Sequence, residues 1–388
     1  MISGFNGENE HDIAIVGGGI GGLATAIALH RKGFKDVAVY EKSDCLRAGG
    51  TAISISANGW RALDQLGVGD HLRDKANLIQ GRQEVLLDQN RVQNLPFWSG
   101  EVRCLKRSDL INALADALPS NTTRFNCDLV SVQVVVGCDG SNSEVANFVG
   151  LKPASLCSLG SIRGLTNYPN GHPFPPQFTV TKRNKADGKL FGRFPIDDKL
   201  VYWFIYIPIS PKDGKFPDDL ELMKQATLRQ IEGYPANEIE MVEKCEVDSL
   251  SFTRLRYRHP WEILVGKFRK GSVTVLGDAM HVMGPFLGQG GSATLEDAVV
   301  LARNMARKIG ILNHKSGARG KLITSQKKIE EALYHYVKER KMRIMLLATN
   351  TYIIGLLTGP TPLVAKLIAL MVLWVLFKDP ASYDCGKL

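Results

Sequence analysis

Three glycines at a fixed spacing carry the first chemistry of this chain. Gly17, Gly19 and Gly22 lie in Asp12-Ile13-Ala14-Ile15-Val16-Gly17-Gly18-Gly19-Ile20-Gly21-Gly22 and satisfy G-x-G-x-x-G. An apolar run precedes them, and the helical pattern Leu23-Ala24-Thr25-Ala26-Ile27-Ala28-Leu29 follows. Gly17 permits the tight turn, Gly19 lets backbone N–H groups approach a pyrophosphate, and Gly22 lets the helix pack closely on the sheet. The helix N-terminus, with Ile20 and Gly21 in its first turn, attracts the anion. A second strand pattern, Val37-Ala38-Val39-Tyr40, ends in Glu41-Lys42, which places a carboxylate where a ribose hydroxyl is expected. These residues predict dinucleotide binding.

Two more segments repeat the order strand, Gly, Asp, helix. One is Val135-Val136-Gly137-Cys138-Asp139-Gly140-Ser141-Asn142-Ser143. The other is Val275-Leu276-Gly277-Asp278-Ala279-Met280-His281, continuing through Pro285 and Gly288-Gln289-Gly290-Gly291 to Leu295-Glu296-Asp297-Ala298. His281 is the residue whose ordinary titration range suits acid–base work. Support of its own loop is the other reading of this residue. No residue is assigned as a catalytic acid, base or nucleophile.

The bulk composition bounds these readings. The 388 residues suffice for about two domains. With 44% hydrophobic and 22% charged residues, the chain is an ordinary globular sequence. The net charge of +9 suits anionic ligands or a membrane surface. No basic stretch is interleaved with aromatics, so nucleic acid is not an expected partner. The seven cysteines are scattered and never C-x-x-C, which with the polar N-terminus reads as a reduced, cytoplasmic setting. No His/Cys cluster has metal-ligand spacing.

Stepping along the chain, residues 80 to 98 and 155 to 265 read as β-rich. Leu190–Ile196 and Leu200–Ile207 form a hairpin about Asp197-Asp198. Leu110, Leu114 and Leu118 mark a helix behind Ser108-Asp109 as its cap. Residues 325 to 348 are helical and charged. The run 363–377 is apolar except for Lys366. As a helix it spans about 22 Å, short of the roughly 30 Å hydrocarbon core. A helix buried on the body and a peripheral membrane contact are both open for it, with burial favoured.

The G-x-G-x-x-G, D-G and G-D triple resembles the class A flavin-dependent aromatic hydroxylases, the family of p-hydroxybenzoate and salicylate hydroxylases. The plant FAD-dependent monooxygenases are the most similar group. The resemblance covers nearly the whole chain. It implies an α/β architecture: a Rossmann-type FAD-binding domain of the p-hydroxybenzoate hydroxylase kind, with an interleaved β-rich substrate domain and a helical C-terminus. The expected FAD-binding parts are 12–80, 100–150 and 268–320. The substrate parts are 81–99 and 155–265, and 321–388 is the helical C-terminal region. The implied cofactor is FAD, with NADPH or NADH as a transient co-substrate. The implied reaction is hydroxylation of a small aromatic or related electron-rich substrate by O₂ through a flavin C4a-hydroperoxide. Epoxidation of a lipophilic substrate and a catalytically impaired isoform are the alternatives.

The resemblance also assigns roles. Gly17, Gly19, Ile20, Gly21, Gly22, Glu41 and Lys42 hold the ADP half, and Val130 lies near the adenine. Arg107, at a helix start, offers its guanidinium fork to the flavin cofactor. Asp139 and Gly140 form the D-G pair that serves both FAD and the nicotinamide. Asp278 binds a ribityl hydroxyl. Gly288, Gly290 and Gly291 turn backbone N–H groups toward the isoalloxazine.

The chain departs from that pattern at three places. Ser143-Glu144-Val145-Ala146 replaces the arginine that usually ends the D-G motif. Phe286 stands where plant members carry an acidic residue. At Gln133-Val134 two strands abut where the family inserts a small strand excursion. Leu129 to Val136 contains no Gly, Pro or Asn to turn the chain. The junction reads as a deletion that should displace Asp139 from Gly17 and Asp278.

Overall fold

Apolar runs punctuated by glycine become parallel strands, and the alternating runs become an antiparallel sheet. The computed structural model describes residues 10–46, 51–95, 100–126, 131–184, 188–209, 216–310, 326–358, 362–377 and 379–388. The first third contains β1 (Glu10–Val16), α1 (Ile20–Arg31), β2 (Val37–Glu41), β3 (Ala52–Ile55), α2 (Ala57–Leu66), α3 (Gly69–Arg73), β4 (Gly81–Leu86), β5 (Arg91–Leu95), β6 (Arg103–Lys106), α4 (Arg107–Asp116) and β7 (Thr123–Phe125). Then come β8 (Ser131–Gly137), α5 (Glu144–Phe148), β9 (Ser155–Asn167), β10 (Gln177–Lys182), β11 (Leu190–Pro195), β12 (Leu200–Pro208), α6 (Leu220–Gln230), α7 (Ala236–Glu243) and β13 (Ser251–Tyr257). The last part holds α8 (Pro260–Val265), β14 (Arg269–Lys270), β15 (Val273–Val275), α9 (Asp278–His281), α10 (Gly290–Ile309), α11 (Gln326–Thr358) and α12 (Leu363–Leu376).

Two sheets organise these elements. The first runs β14-β15-β8-β1-β2-β7 and is parallel except at β14–β15. The second runs β13-β9-β12-β11-β10-β4-β5 and is antiparallel except at β10–β4. Helix α1 is buried from Ile20 to Leu29 because the first sheet and α10 cover opposite sides of it. Its apolar character all round follows from that position. The β-rich middle also holds α6 and α7, which cover the outer face of the second sheet around Trp203, Ile205 and Ile207. Tyr202, Phe204 and Tyr206 belong to the core shared with the first sheet.

Helix α4 begins one residue before its expected cap. Arg107 is its first residue, so Ser108 and Asp109 sit in the first turn. Helix α11 continues to Thr358, ten residues past its expected end. Helix α12 is not the buried helix favoured by its composition: Leu363, Val364, Met371 and Trp374 are exposed, and Ala369 is its buried contact. Beyond it, residues 379–388 form a strap across the body. Arg61 donates to the carbonyls of Ala381 (2.5 Å) and Tyr383 (2.6 Å), Gln65 to that of Gly386 (2.6 Å), and Arg343 to that of Pro380 (2.6 Å).

The expected displacement at Gln133-Val134 does not occur. β8 runs straight through both residues, paired to β1 from Glu10↔Ser131 to Val16↔Gly137 and to β15 on its other side. Gln133 donates to Asp12 at 3.0 Å. The strand before β8 is β7, which ends at Phe125. Val130, Gly49-Gly50 and Gly359-Pro360-Thr361 lie outside the described residues.

One buried carboxyl links this fold to pH. Glu238 on α7 is 2% exposed and accepts a hydrogen bond from Thr181. Burial pushes its pKa up to about 7, against the opposing pull of Thr181 and Arg193. A raised folded pKa gives stability that is full below the unfolded value and lost as pH rises through about 7. Glu238→Gln is therefore expected to stabilise the fold above pH 7 by on the order of 3 kcal/mol, and to change little at pH 4. Urea melts at both pH values check this.

Candidate cofactor and active site

The site grows from the C-terminal ends of β1, β8 and β15, where parallel strands release their chains into glycine turns. Val16 aligns with Gly137, and Gly137 with Val275, so the three motifs leave the sheet side by side. Gly17 has φ +108°, and a Cβ there would lie 2.6 Å from the Cys138 carbonyl oxygen. A Cβ on Gly22 would overlap the Gly17 carbonyl oxygen, so the helix can pass only with glycine there. At Gly21 a Cβ would meet Leu276 and Thr294 at 2.9 Å, which brings α1, β15 and α10 together. At Gly19 nothing lies within 4 Å: the start of α1 opens to free space. That is the cradle a pyrophosphate needs.

The remaining expected residues divide by what they already hold. Glu41 accepts from the N–H of Gly18 (2.8 Å) and of Ser43 (3.0 Å), so its carboxylate stiffens the first turn. Lys42 beside it is exposed. Asp139 accepts from Ser143 Oγ (2.5 Å) and from the N–H groups of Glu144 (2.8 Å) and Val145 (3.3 Å). It ties down its own loop and the start of α5. Gly140, at φ +80°, faces free space.

Asp278 is the exposed residue of an otherwise buried stretch from Thr274 to Val282. Arg107 is half-buried, and its Nε is buried with no hydrogen-bond partner among the described residues. Burial holds its pKa below the usual guanidinium value; Asp278 counters this and Arg163 adds to it. Arg107 thus lies close enough to Asp278 to feel its charge. Gly290, the first residue of α10, is open beyond any Cβ, whereas a Cβ on Gly291 would lie 2.5 Å from Ile53. Gly288 has φ +63° and faces Ser54. A guanidinium with a buried, unpartnered Nε, an exposed carboxylate and two open helix starts fit a dinucleotide with its phosphates and ribityl hydroxyls.

The opposite wall is aromatic. Phe178 stacks on Phe194 at 4.1 Å, Phe204 meets Tyr206 at 4.8 Å, and Tyr206 meets Phe286 edge-on at 6.1 Å. Arg163, opposite Phe204 on the neighbouring strand, donates to Thr253 at 3.3 Å. Burial pushes the Tyr202 hydroxyl up to about 12. Phe286 therefore joins the glycine loop before α10 to the aromatic face of the second sheet.

Beneath the site lies a charged cluster that the sequence reading did not assemble. Asp297 accepts from the Gly277 N–H (2.9 Å), pairs with His281 Nε2 (2.7 Å) and accepts from Arg340 Nε (2.6 Å). Glu296 accepts from Arg340 (2.7 Å), Arg343 (3.0 Å) and Asn58 (2.6 Å). Burial would raise the Asp297 pKa, but His281 and Arg340 hold it below the usual carboxylate range. His281 is fully buried, which agrees with support of the loop. The signal for Arg340 was present: it lies on the apolar stripe of Leu333, Tyr336, Ile344 and Leu347.

Comparisons with known proteins agree with this geometry. The sequence model of the FAD binding domain matches residues 120–311, and that of the NAD(P)-binding Rossmann-like domain matches 15–71. Monooxygenase 1 of Arabidopsis thaliana is 44% identical over 410 positions, covering 98% of this chain and all of the relative. Monooxygenase 2 of the same plant is 35% identical over 90% of both chains. HpxO of Klebsiella pneumoniae, solved with FAD and uric acid, shares the fold at a TM-score of 0.73 and 20% identity, covering 95% of this chain and 93% of that one. The chain belongs to the FAD-dependent monooxygenase family.

Proposed function

We propose that this protein inserts one oxygen atom from O₂ into a small, planar, electron-rich molecule, using FAD and NADPH or NADH. The observation that carries the reading is that the three glycine motifs leave the sheet side by side at Val16, Gly137 and Val275, with open space at Gly19 and at Gly290 and with Arg107 close enough to Asp278 to feel its charge. The Gly17–Gly22 turn, with Ile20 and Gly21, would receive the pyrophosphate at the start of α1. Glu41 and Lys42 would meet the adenosine end. Arg107 would lie against the phosphate or ribityl oxygens, Asp278 against a ribityl hydroxyl, and the Asp139-Gly140 loop beside them. Backbone N–H groups at Gly288, Gly290 and Gly291 would face the isoalloxazine edge, where the α10 N-terminus favours negative charge. FAD, when bound, supplies the hydride acceptance and the oxygen chemistry. The protein's part is to orient the substrate against Tyr202, Phe204 and Tyr206 and to exclude water.

Epoxidation of a lipophilic substrate is a second reading, favoured by the exposed apolar face of α12. The test is a purified protein with a flavin spectrum that oxidises NAD(P)H under air and adds oxygen to a member of a phenol, aromatic-acid and alkene panel. A protein that takes up no FAD overturns the proposal. The product distinguishes hydroxylation from epoxidation.

Asp278→Ala removes one charge-assisted hydrogen bond. It is expected to weaken FAD binding roughly ten- to a hundredfold and to leave the melting temperature of the flavin-free protein unchanged. His281→Ala should instead lower that temperature, because Asp297 loses a buried partner. Flavin titration and thermal melts of both variants check this. Equal flavin affinity in the two would contradict it.

A further inference from the structure

We infer that α12 is an in-plane membrane-contact helix that seats the protein on an anionic lipid surface. The inference is independent of the oxygenation reading. Helix α12 has 14 residues, about 21 Å of length, and no helix among the described residues is long and apolar enough to cross a membrane. Its apolar side chains nevertheless face solvent. Leu363 is 73% exposed, Met371 63% and Trp374 87%, and Leu367, Val364 and Val375 are exposed beside them. At 100° per residue these positions sweep an arc of about 120°.

That width decides between occupants. A second helix buries a narrow seam and leaves a polar rim around it. The exposed arc of α12 carries no polar side chain, and Lys366, the charged residue of the helix, lies at its edge. A lipid surface dissolves the whole arc and needs no rim. Trp374 is the residue type that favours the headgroup level. The net charge of +9 complements anionic headgroups.

The body holds the helix in this exposed position. Its inner side packs on α11, and the 379–388 strap that follows is bonded to α2 and α11. Helix α8, also packed on α11, presents Trp261 and Val265 to solvent, a second apolar contact on the same support.

The test is flotation of the full-length, FAD-incubated protein with vesicles of phosphatidylcholine, alone and mixed with phosphatidylglycerol. The protein is expected to float with the mixed vesicles, and its tryptophan emission to shift to the blue. Trp374→Phe should remove most of that shift while flotation persists. Leu367→Glu with Trp374→Glu should lower the bound fraction at least about tenfold, the effect of losing large apolar side chains from lipid. Both positions are exposed, so the melting temperature should hold. Three results overturn the inference: no flotation with the mixed vesicles, equal flotation of the double-glutamate variant, or a wild-type dimer that this variant dissociates without any lipid binding.

Discussion

Lengthening the link between Asn126 and Ser131 is expected to raise FAD retention ten- to a hundredfold and to cut the hydrogen peroxide released per NAD(P)H. Phe125 aligns with Glu41 at the C-terminal end of β2, and Ser131 aligns with Glu10 at the opposite end of β1. β2 and β1 lie between β7 and β8. Three strand spacings of about 4.8 Å and seven rises of about 3.3 Å lie between the two residues, a path that sheet twist shortens and that leaves the link little slack. The five residues 126–130 supply at most about 22 Å when fully extended. Parallel strands ordinarily need a crossover of about a dozen residues or more. The three aligned pairs of β2–β7 and the first rungs of β8 therefore compete for one short link. Holding the two or three rungs nearest the link more firmly, at about 1 kcal/mol of net hydrogen bond each, gives the expected gain. The alignment with Monooxygenase 1 runs over 410 positions against 388 residues here, so the relative carries segments that this chain lacks. Its connection between the corresponding strands is the insert to use. If the chain as it stands binds FAD stoichiometrically and releases little peroxide, the short link is tolerated and this prediction fails.

What the sequence made legible was local. Gly17 and Gly22 are demanded by a positive φ and by a close approach of the backbone, both set within six residues. Glu41 and Asp278 sit at strand ends that apolar runs mark out. Asp139 shows the limit of such reading. A carboxylate at a turn serves a ligand or caps its own loop with equal ease, and here it accepts from Ser143, Glu144 and Val145. The distant partners were illegible for a different reason. The apolar stripe of α11 marks Arg340 as inward-facing, but nothing near it in sequence announces Glu296 and Asp297. The 379–388 strap is held through its backbone carbonyls, which residue types do not encode. The apolar content of α12 was legible, but its exposure was not, because that depends on which surfaces α11 has left to cover it.

Arg340→Ala is expected to destabilise the fold by about 3–5 kcal/mol and to lower FAD affinity with it. Arg340, Asp297 and Glu296 are all fully buried. Removing the guanidinium leaves two carboxylates without their shared cation, and this uncompensated charge dominates the cost. The loss reaches the cofactor site through Asp297, which accepts from the N–H of Gly277, the residue before Asp278. Arg340→Lys keeps the charge but not the fork that bonds Asp297 and Glu296 together, so it should fall between wild type and alanine. Arg340→Met combined with Glu296→Gln and Asp297→Asn should recover much of the stability, because both fully buried carboxylates are then neutral and Arg343 keeps the Pro380 carbonyl. The pH dependence has a defined sign. The folded pKa of Asp297 is depressed, so its contribution is present above its unfolded value of about 3.9 and is lost as pH falls through the folded one. Asp297→Asn should flatten that acid limb. Urea unfolding of the wild type and the four variants, followed by tryptophan emission and flavin release at neutral and acid pH, measures all of this. A loss below about 1 kcal/mol for Arg340→Ala, the range of an exposed ion pair, would mean that the cluster is not the support of the Gly277–His281 loop.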